Sequence, residues 1–241
     1  MSQPLRRWLG PLRVTPLHPQ WLVLLGEQET RGVLARFARG LVLDIGCGDR
    51  WAEAALPPNA TYLGLHYPNT VELGYRGRPD LFADAHQLPL AEESIDTALI
   101  MDVLEHLLEP DVALEEIRRT LKPAGVIIVQ VPFLYPLHDE PYDFQRWTIH
   151  GLKLLLRRHK VSIIEETSQG QPLDCAAALA AIAIAKGVVD AASRPTFAIL
   201  LAPLLLISIP LVNLTGWLFA RLLPRSSLMP IGYRVIARKD E

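Results

Sequence analysis

Short apolar runs separated by stretches of helical period constrain this chain more than any other feature: LVLD, YLGLH, TALIM, VIIVQV, VSIIE and YRVIAR. Each is too short for an independent helix. Most are continuously apolar rather than alternating, as in strands covered on both faces. Strands are therefore predicted at Leu41–Asp44, Tyr62–His66, Leu81–Ala83, Thr97–Met101, Val126–Val131, Val161–Glu165 and Tyr233–Arg238. Helices are predicted at Gln28–Arg39, at Asp111–Leu121 closed by the turn KPAG, and at Thr148–His159 with Thr148 as N-cap. Strands alternating with helices define an α/β fold with a mainly parallel sheet.

The first strand runs into DIGCGDR, Asp44 to Arg50. In parallel sheets ligands bind beyond the carboxyl ends of the strands, where this turn lies. Glycine permits positive φ and close approach of a ligand to the backbone. A dinucleotide turn would carry a third glycine, but position 51 is Trp51, and no Gly-Lys-Ser/Thr phosphate loop occurs. Neither a pyrophosphate nor a nucleoside triphosphate is favoured, and a ligand-free tight turn stays open. A net charge of −2 gives no general polyanion binder, and no nucleic-acid partner is expected. The two cysteines, Cys47 and Cys175, form no spacing motif and are expected as reduced thiols of a cytoplasmic protein. No signal peptide is discerned, because Pro11, Arg13, Pro16 and Pro19 interrupt any apolar stretch after Arg6 and Arg7.

VLDIGCGD, YLGLHYP, DLFADAHQLPL, SIDTALIMDVLEHL and LKPAGVIIVQVP follow in order. Together they resemble the class I S-adenosylmethionine-dependent methyltransferases of the D-x-G-x-G, D-A-x-x-L-P and E-H-L type, over roughly residues 40–165 and 231–239. The resemblance implies a Rossmann-like seven-stranded sheet with the last strand antiparallel beside the sixth and helices on both faces. It implies S-adenosylmethionine as cofactor. Asp44, Gly46, Cys47 and Gly48 would cradle its methionine and ribose, Asp84 and Ala85 its adenine, and Met101 and Asp102 would lie near the sulfonium. Carboxylates and carbonyls suit a cation joined to a neutral adenine. The family usually ends its second strand on an acidic residue that binds both ribose hydroxyls. Here His66 stands in that place, and a neutral imidazole has one acceptor nitrogen. His66 binding the ribose more weakly, Asn69 sharing the task, and a decayed cofactor site all stay open. The last would make the chain a non-catalytic binding or adaptor protein. The missing third glycine disfavours a nicotinamide-dependent oxidoreductase.

After the fifth strand, PFLYPLHDEPYDFQRWT places His138, Asp139, Glu140, Tyr142, Asp143 and Arg146 over the carboxyl edge of the sheet, where the resemblance implies that the acceptor binds. His138 is the first candidate for a base, with Asp139 or Asp143 orienting it or the substrate. Arg146 is expected either to bind an acidic group of the acceptor or to pair with Asp143 or Glu140. His106 either faces the pocket or packs beneath it. No metal is expected: His138, Asp139 and Glu140 are neighbours in an extended stretch and point different ways.

The region 171–228 is an apolar helical insert between the sixth and seventh strands, in what is expected to be one methyltransferase-like domain over 1–241 with an N-terminal arm and helix over 1–40. Pro195 to Ala220 carries no charge for 26 residues, long enough for a bilayer core. Both ends must return to one sheet, so a single crossing is excluded if that sheet assignment holds. Two readings remain. One is a hairpin that enters or lies on one leaflet at the cytoplasmic side, with Trp8, Trp217 and nearby arginines at the headgroups. The other is a soluble cap or homodimer face. The acceptor is expected to be a small or lipid-linked molecule, such as a lipid-linked sugar, a polyprenoid or a quinone-like compound. The HDEPYDFQR loop resembles those of methyltransferases from cell-surface glycan pathways.

Overall fold

A computed structural model describes residues 10–68, 78–194 and 196–240. Asn69, Arg6, Arg7 and Trp8, named above, lie outside the described residues. In chain order the elements are α1 (Trp21–Leu24), α2 (Glu27–Phe37), β1 (Leu41–Ile45), β2 (Thr61–His66), β3 (Leu81–Phe82), β4 (Ile95–Met101), α3 (Pro110–Thr120), β5 (Leu121–Pro132), α4 (Ile149–Arg158), β6 (Val161–Gln169), α5 (Pro172–Ser193), α6 (Ala202–Leu222) and β7 (Gly232–Lys239). They divide into two compact units. One holds residues 29–133, 137–168 and 232–240, and the other residues 10–28, 134–136 and 169–231.

The first unit is built on a seven-stranded sheet in the order β3-β2-β1-β4-β5-β7-β6. β1 pairs in parallel with β2 and β4, and β4 with β5, while β7 runs antiparallel to β5. This is the architecture implied by the resemblance. Strand residues alternate between two cores. Leu43, Ile45, Ala98, Ile100, Ile127 and Val129 pack with Leu114 and Ile117 of α3 and Leu152 and Leu156 of α4. Val42, Leu99, Met101, Ile128 and Ile236 pack with Leu34 of α2 and with Ala38. Both faces are covered, which is why these runs lack a polar side.

Two expected boundaries shift. KPAG is not a free turn, because β5 begins at Leu121 opposite Ile95. The register slips between Ile95 and Thr97, Ala124 takes φ 56°, and Lys122 is held by Asp96 at 2.9 Å. The ladder thus passes through an irregularity instead of starting after it. β6 continues past Glu165 to Gln169; exposure alternates over its first seven residues, and its last four are all polar and leave no apolar run to mark it. Thr148 caps α4 as predicted, its hydroxyl accepting from the Gly151 N–H at 3.0 Å.

The second unit is a helical hairpin. α5 and α6 pack so closely that a Cβ on Gly216 would run into that of Ala177, the small-residue contact that lets two helix backbones approach. Trp21 and Leu22 of α1 join Ala177, Ala178 and Val212 in its small core. The buried amide of Asn213 donates to the carbonyls of Pro16 at 2.8 Å and His18 at 3.0 Å. Arg221 pairs with Asp174 at 3.2 Å and covers the Trp217 ring. Its outward face is apolar: Phe197, Leu200, Leu204, Ile207, Leu211 and Leu222 are all exposed. The segments Pro172–Ser193 and Phe197–Leu222 are each long and apolar enough to cross a membrane by length and composition.

Candidate active site

The glycine turn stands at the carboxyl end of β1. Gly46 and Gly48 have φ of 72° and 50°, and a Cβ on Gly46 would strike the Val103 side chain. Conformation and packing already demand glycine at 46. The N–H groups of Gly46 and Cys47 both donate to the Leu65 carbonyl, at 2.9 and 3.0 Å, fastening the turn to β2. Asp44 is buried, and its Oδ2 accepts from the Tyr62 hydroxyl at 2.6 Å. Burial pushes its carboxyl up to about 7 against the opposing Tyr62 hydrogen bond and Arg50 charge. Cys47 is a free, buried thiol that burial pushes up to about 11, so it supplies backbone and not a nucleophile.

His66 ends β2, buried, and burial lowers its pKa against the pull of Asp49, so the ring is neutral at neutral pH. Asp84 follows β3 and accepts at Oδ1 from the His86 N–H at 2.9 Å and faces His86 Nδ1 at 2.5 Å. Burial works against the Asp84 charge, but the two His86 bonds prevail and lower its pKa. Ala85 beside it is buried. Met101 and Asp102 close β4, with Asp102 at φ 55° and its N–H donating to Gln130 at 2.9 Å. Asp44 to Gly48, His66, Asp84 and Met101–Asp102 thus all stand at or just past the carboxyl ends of β1 to β4.

Asp102 leads to residues that the sequence did not flag. Its Oδ2 accepts from Gln130 Nε2 at 2.8 Å. Gln130 Oε1 accepts from Arg234 Nε and the Thr30 hydroxyl, both at 3.3 Å, and Arg234 also donates to Thr30. Met101, Gln130 and Arg234 stand side by side on β4, β5 and β7, so register alone assembles the row. Crowding and the nearby Glu105 charge push the Asp102 carboxyl up to about 6 against the Gln130 bond. Water reaches the residue, which tempers that rise.

In the loop after β5, Arg146 grips both oxygens of Asp143. Of the two roles expected for Arg146, the structure gives it the ion pair. Asp143 Oδ2 accepts from the His138 backbone N–H at 3.0 Å and lies 3.2 Å from His138 Nδ1. Burial works against the Asp143 charge, yet Arg146 and the His138 N–H hold its pKa down at about 2. Burial likewise opposes a charged His138 ring, but Glu105 and Asp143 outweigh it and raise its pKa. Asp139 takes φ 49°, and its carbonyl accepts from Tyr142 N–H at 3.1 Å. His106 Nδ1 donates to the Tyr142 carbonyl at 2.8 Å, and its ring stands edge-on to His138 with centroids 4.9 Å apart. His106 therefore belongs to the cluster under this loop. Leu137, Tyr142 and Phe144 of the loop are exposed.

Residues 43–129 match the family described as a methyltransferase domain. An uncharacterized methyltransferase of Mycobacteroides abscessus is 34% identical over 134 residues, 51% of this chain and 49% of that protein. The demethylmenaquinone methyltransferase of Paenarthrobacter aurescens is 33% identical over 104 residues, 40% of each chain. The chain thus spans less than half the length of these curated relatives. Among solved structures, an S-adenosylmethionine-dependent methyltransferase from Mesorhizobium loti superposes with TM-score 0.53 at 16% identity, covering 88% of this chain and 97% of that one. The cyclase SpnF gives TM-score 0.53 at 21% identity over 88% of this chain and 80% of its own. The match to a methyltransferase domain thus lies within residues 43–129, and the solved structures share the fold. SpnF shares the fold under a different reaction name, so the fold leaves the chemistry to the site.

Proposed function

We propose that this protein transfers a methyl group from S-adenosylmethionine to a small or lipid-linked acceptor at a membrane surface. The observation that carries the reading is the convergence of Asp44, the bare Gly46–Gly48 backbone, His66, Asp84–Ala85 and Met101–Asp102 at the carboxyl edge of the sheet. The turn takes the methionine and ribose, with His66 as a single acceptor at the ribose. Asp84 and Ala85 meet the adenine, and Asp102 faces the sulfonium with a complementary charge. Transfer is an in-line displacement in which the acceptor forms the new bond to the methyl carbon as the C–S bond breaks and a neutral thioether leaves. The protein's task is alignment and exclusion of water. Asp143, fixed by Arg146, orients His138 on the acceptor side. Asp139 lines the same loop.

The exposed apolar side chains of this loop and the outward face of α5–α6 support an apolar, membrane-borne acceptor. Chain connectivity returns both ends of the hairpin to neighbouring strands β6 and β7, which suits insertion from one side. The experiment is a calorimetric titration of wild type and His66→Asp with S-adenosylmethionine. Micromolar binding by wild type, tightened in the variant, is the expected result. Binding by the variant alone would mark a decayed site and a non-catalytic adaptor. Flotation with anionic vesicles tests the membrane arm, and a protein that stays wholly in the supernatant as a defined dimer would refute it.

A further inference from the structure

We propose that Glu105, His106 and His138 form a binding site for a first-row divalent cation. Glu105 and His106 sit on the 3-10 turn Leu104–His106, and His138 comes from the loop after β5. Each offers one ligand atom, and those atoms lie within 4.8 Å of one another. A cation about 2.1 Å from each in tetrahedral geometry wants ligand atoms roughly 3.4 Å apart. The widest pair therefore closes by at most about an ångström and a half, within the reach of side-chain rotation.

The orientation of the two rings is what a metal requires. His106 commits its Nδ1 hydrogen to the Tyr142 carbonyl at 2.8 Å, and His138 turns Nδ1 to the Asp143 carboxylate at 3.2 Å. Asp143 is in turn fixed by Arg146. Metal-bound histidines are commonly set in this way by an outer carbonyl or carboxylate, which leaves the Nε2 lone pair for the ion. Both Nε2 atoms here face Glu105 Oε1, at 3.8 Å for His106 and 3.5 Å for His138. These distances are beyond a well-formed hydrogen bond.

Glu105 supplies an independent observation. Its side chain is 0% exposed, and neither carboxylate oxygen has a hydrogen-bond partner among the described residues. A buried carboxylate is strongly unfavourable unless a positive charge meets it; a proton on His138, 3.5 Å away and favoured by Glu105, can supply that charge, and a divalent cation between the two would replace it. The Phe144 N–H donates to the Glu105 carbonyl at 3.0 Å and ties the loop to the turn.

Two imidazoles and one carboxylate favour zinc, iron(II), cobalt or manganese over magnesium or calcium, which take oxygen ligands. Three protein ligands leave open positions for a water or an acceptor oxygen. If the methyltransfer reading holds, a hydroxyl bound there gives its proton to solvent. Its oxygen then forms the bond to the methyl carbon, while the electrons of the breaking C–S bond return to sulfur. His138 is then a ligand, and the metal takes over activation of the acceptor.

The test uses full-length protein stripped with chelator and titrated with cobalt(II) in the absence of S-adenosylmethionine, followed by visible absorption and by melting temperature. One equivalent should bind and raise the melting temperature. His106→Ala and His138→Ala should each weaken binding by at least about tenfold, with His106→Gln and circular dichroism checking that the loss is not unfolding. Glu105→Gln should lose the metal response yet melt higher than wild type in chelator, because the buried charge is gone. No saturable cobalt binding, or binding untouched by both histidine variants, would overturn the site and leave a proton on His138 as the partner of Glu105. A parallel titration with S-adenosylmethionine separates the two readings, since either ligand can bind while the other fails.

Discussion

The two units of this chain use apolar residues in opposite directions. In the sheet unit, Leu43, Leu99, Ile127 and Val235 are fully buried, and the polar groups near the site are tied into rows such as Asp102–Gln130–Arg234. In the hairpin unit, leucine, isoleucine and phenylalanine point outward, and the buried contacts are made by small residues such as Ala177, Ala181 and Gly216. Water dictates the first pattern, because burying apolar surface is the main gain of folding there. The second leaves that surface uncovered and relies on close backbone packing, as helices do where the surrounding medium is itself apolar. The two units therefore dispose of their apolar side chains differently, one inward and the other outward.

Matched substitutions put this contrast to the test. Leu43→Ala in the sheet should cost about 2–5 kcal/mol in urea unfolding, as for other buried leucines. A much smaller loss would mean that this core is looser than its burial indicates. Asp44 adds a pH dependence to the same unit. Its carboxyl is raised to about 7 in the folded chain from the ordinary 3.8. The folded state therefore holds the proton more tightly than the unfolded one. The stability that this supplies is complete below about pH 4 and is lost as pH rises through about 7. Asp44→Asn should lack that loss, so its melting temperature should gain on wild type across this window, by the equivalent of a few kcal/mol at most. Parallel melting curves at pH 4 and pH 8 would argue that Asp44 is better solvated than its position implies.

In the hairpin, Gly216→Val should force α5 and α6 apart and cost about 1–3 kcal/mol, read as faster proteolysis of the hairpin than of the sheet. Leu204→Ala, on the outward face, should change urea stability by no more than about 0.5 kcal/mol. A cost there close to that of Leu43→Ala would show that a second copy or a cap covers this face in water.

Strand positions were legible because a sheet covered on both faces leaves continuous apolar runs, and the Thr148 cap because its signal is local. The extension of β6 was hidden because Glu166 to Gln169 holds no apolar residue to mark a strand. Arg146 was legible as one of two alternatives, since Asp143 stands three residues away. Thr30, Gln130 and Arg234 were not, because each is unremarkable in its own segment and they meet only through strand register and the packing of α2. The Glu105–His106–His138 cluster escaped for a related reason. A search for ligands within one loop finds His138, Asp139 and Glu140, whereas the carboxylate that faces His138 comes from more than thirty positions earlier.

Arg234 also sets an order of events. It lies on the strand that follows the hairpin and donates to Thr30 across 204 positions of sequence. Synthesis delivers the glycine turn, Asp102 and Gln130 long before it, and the hairpin immediately before it. A nascent chain thus exposes its greasiest segment while the sheet still lacks a strand and Gln130 still lacks its cationic neighbour. β7 is the last strand to be synthesised, and a transcript truncated upstream of it yields a polypeptide with its glycine turn present but its sheet without β7, a natural target for proteolytic clearance.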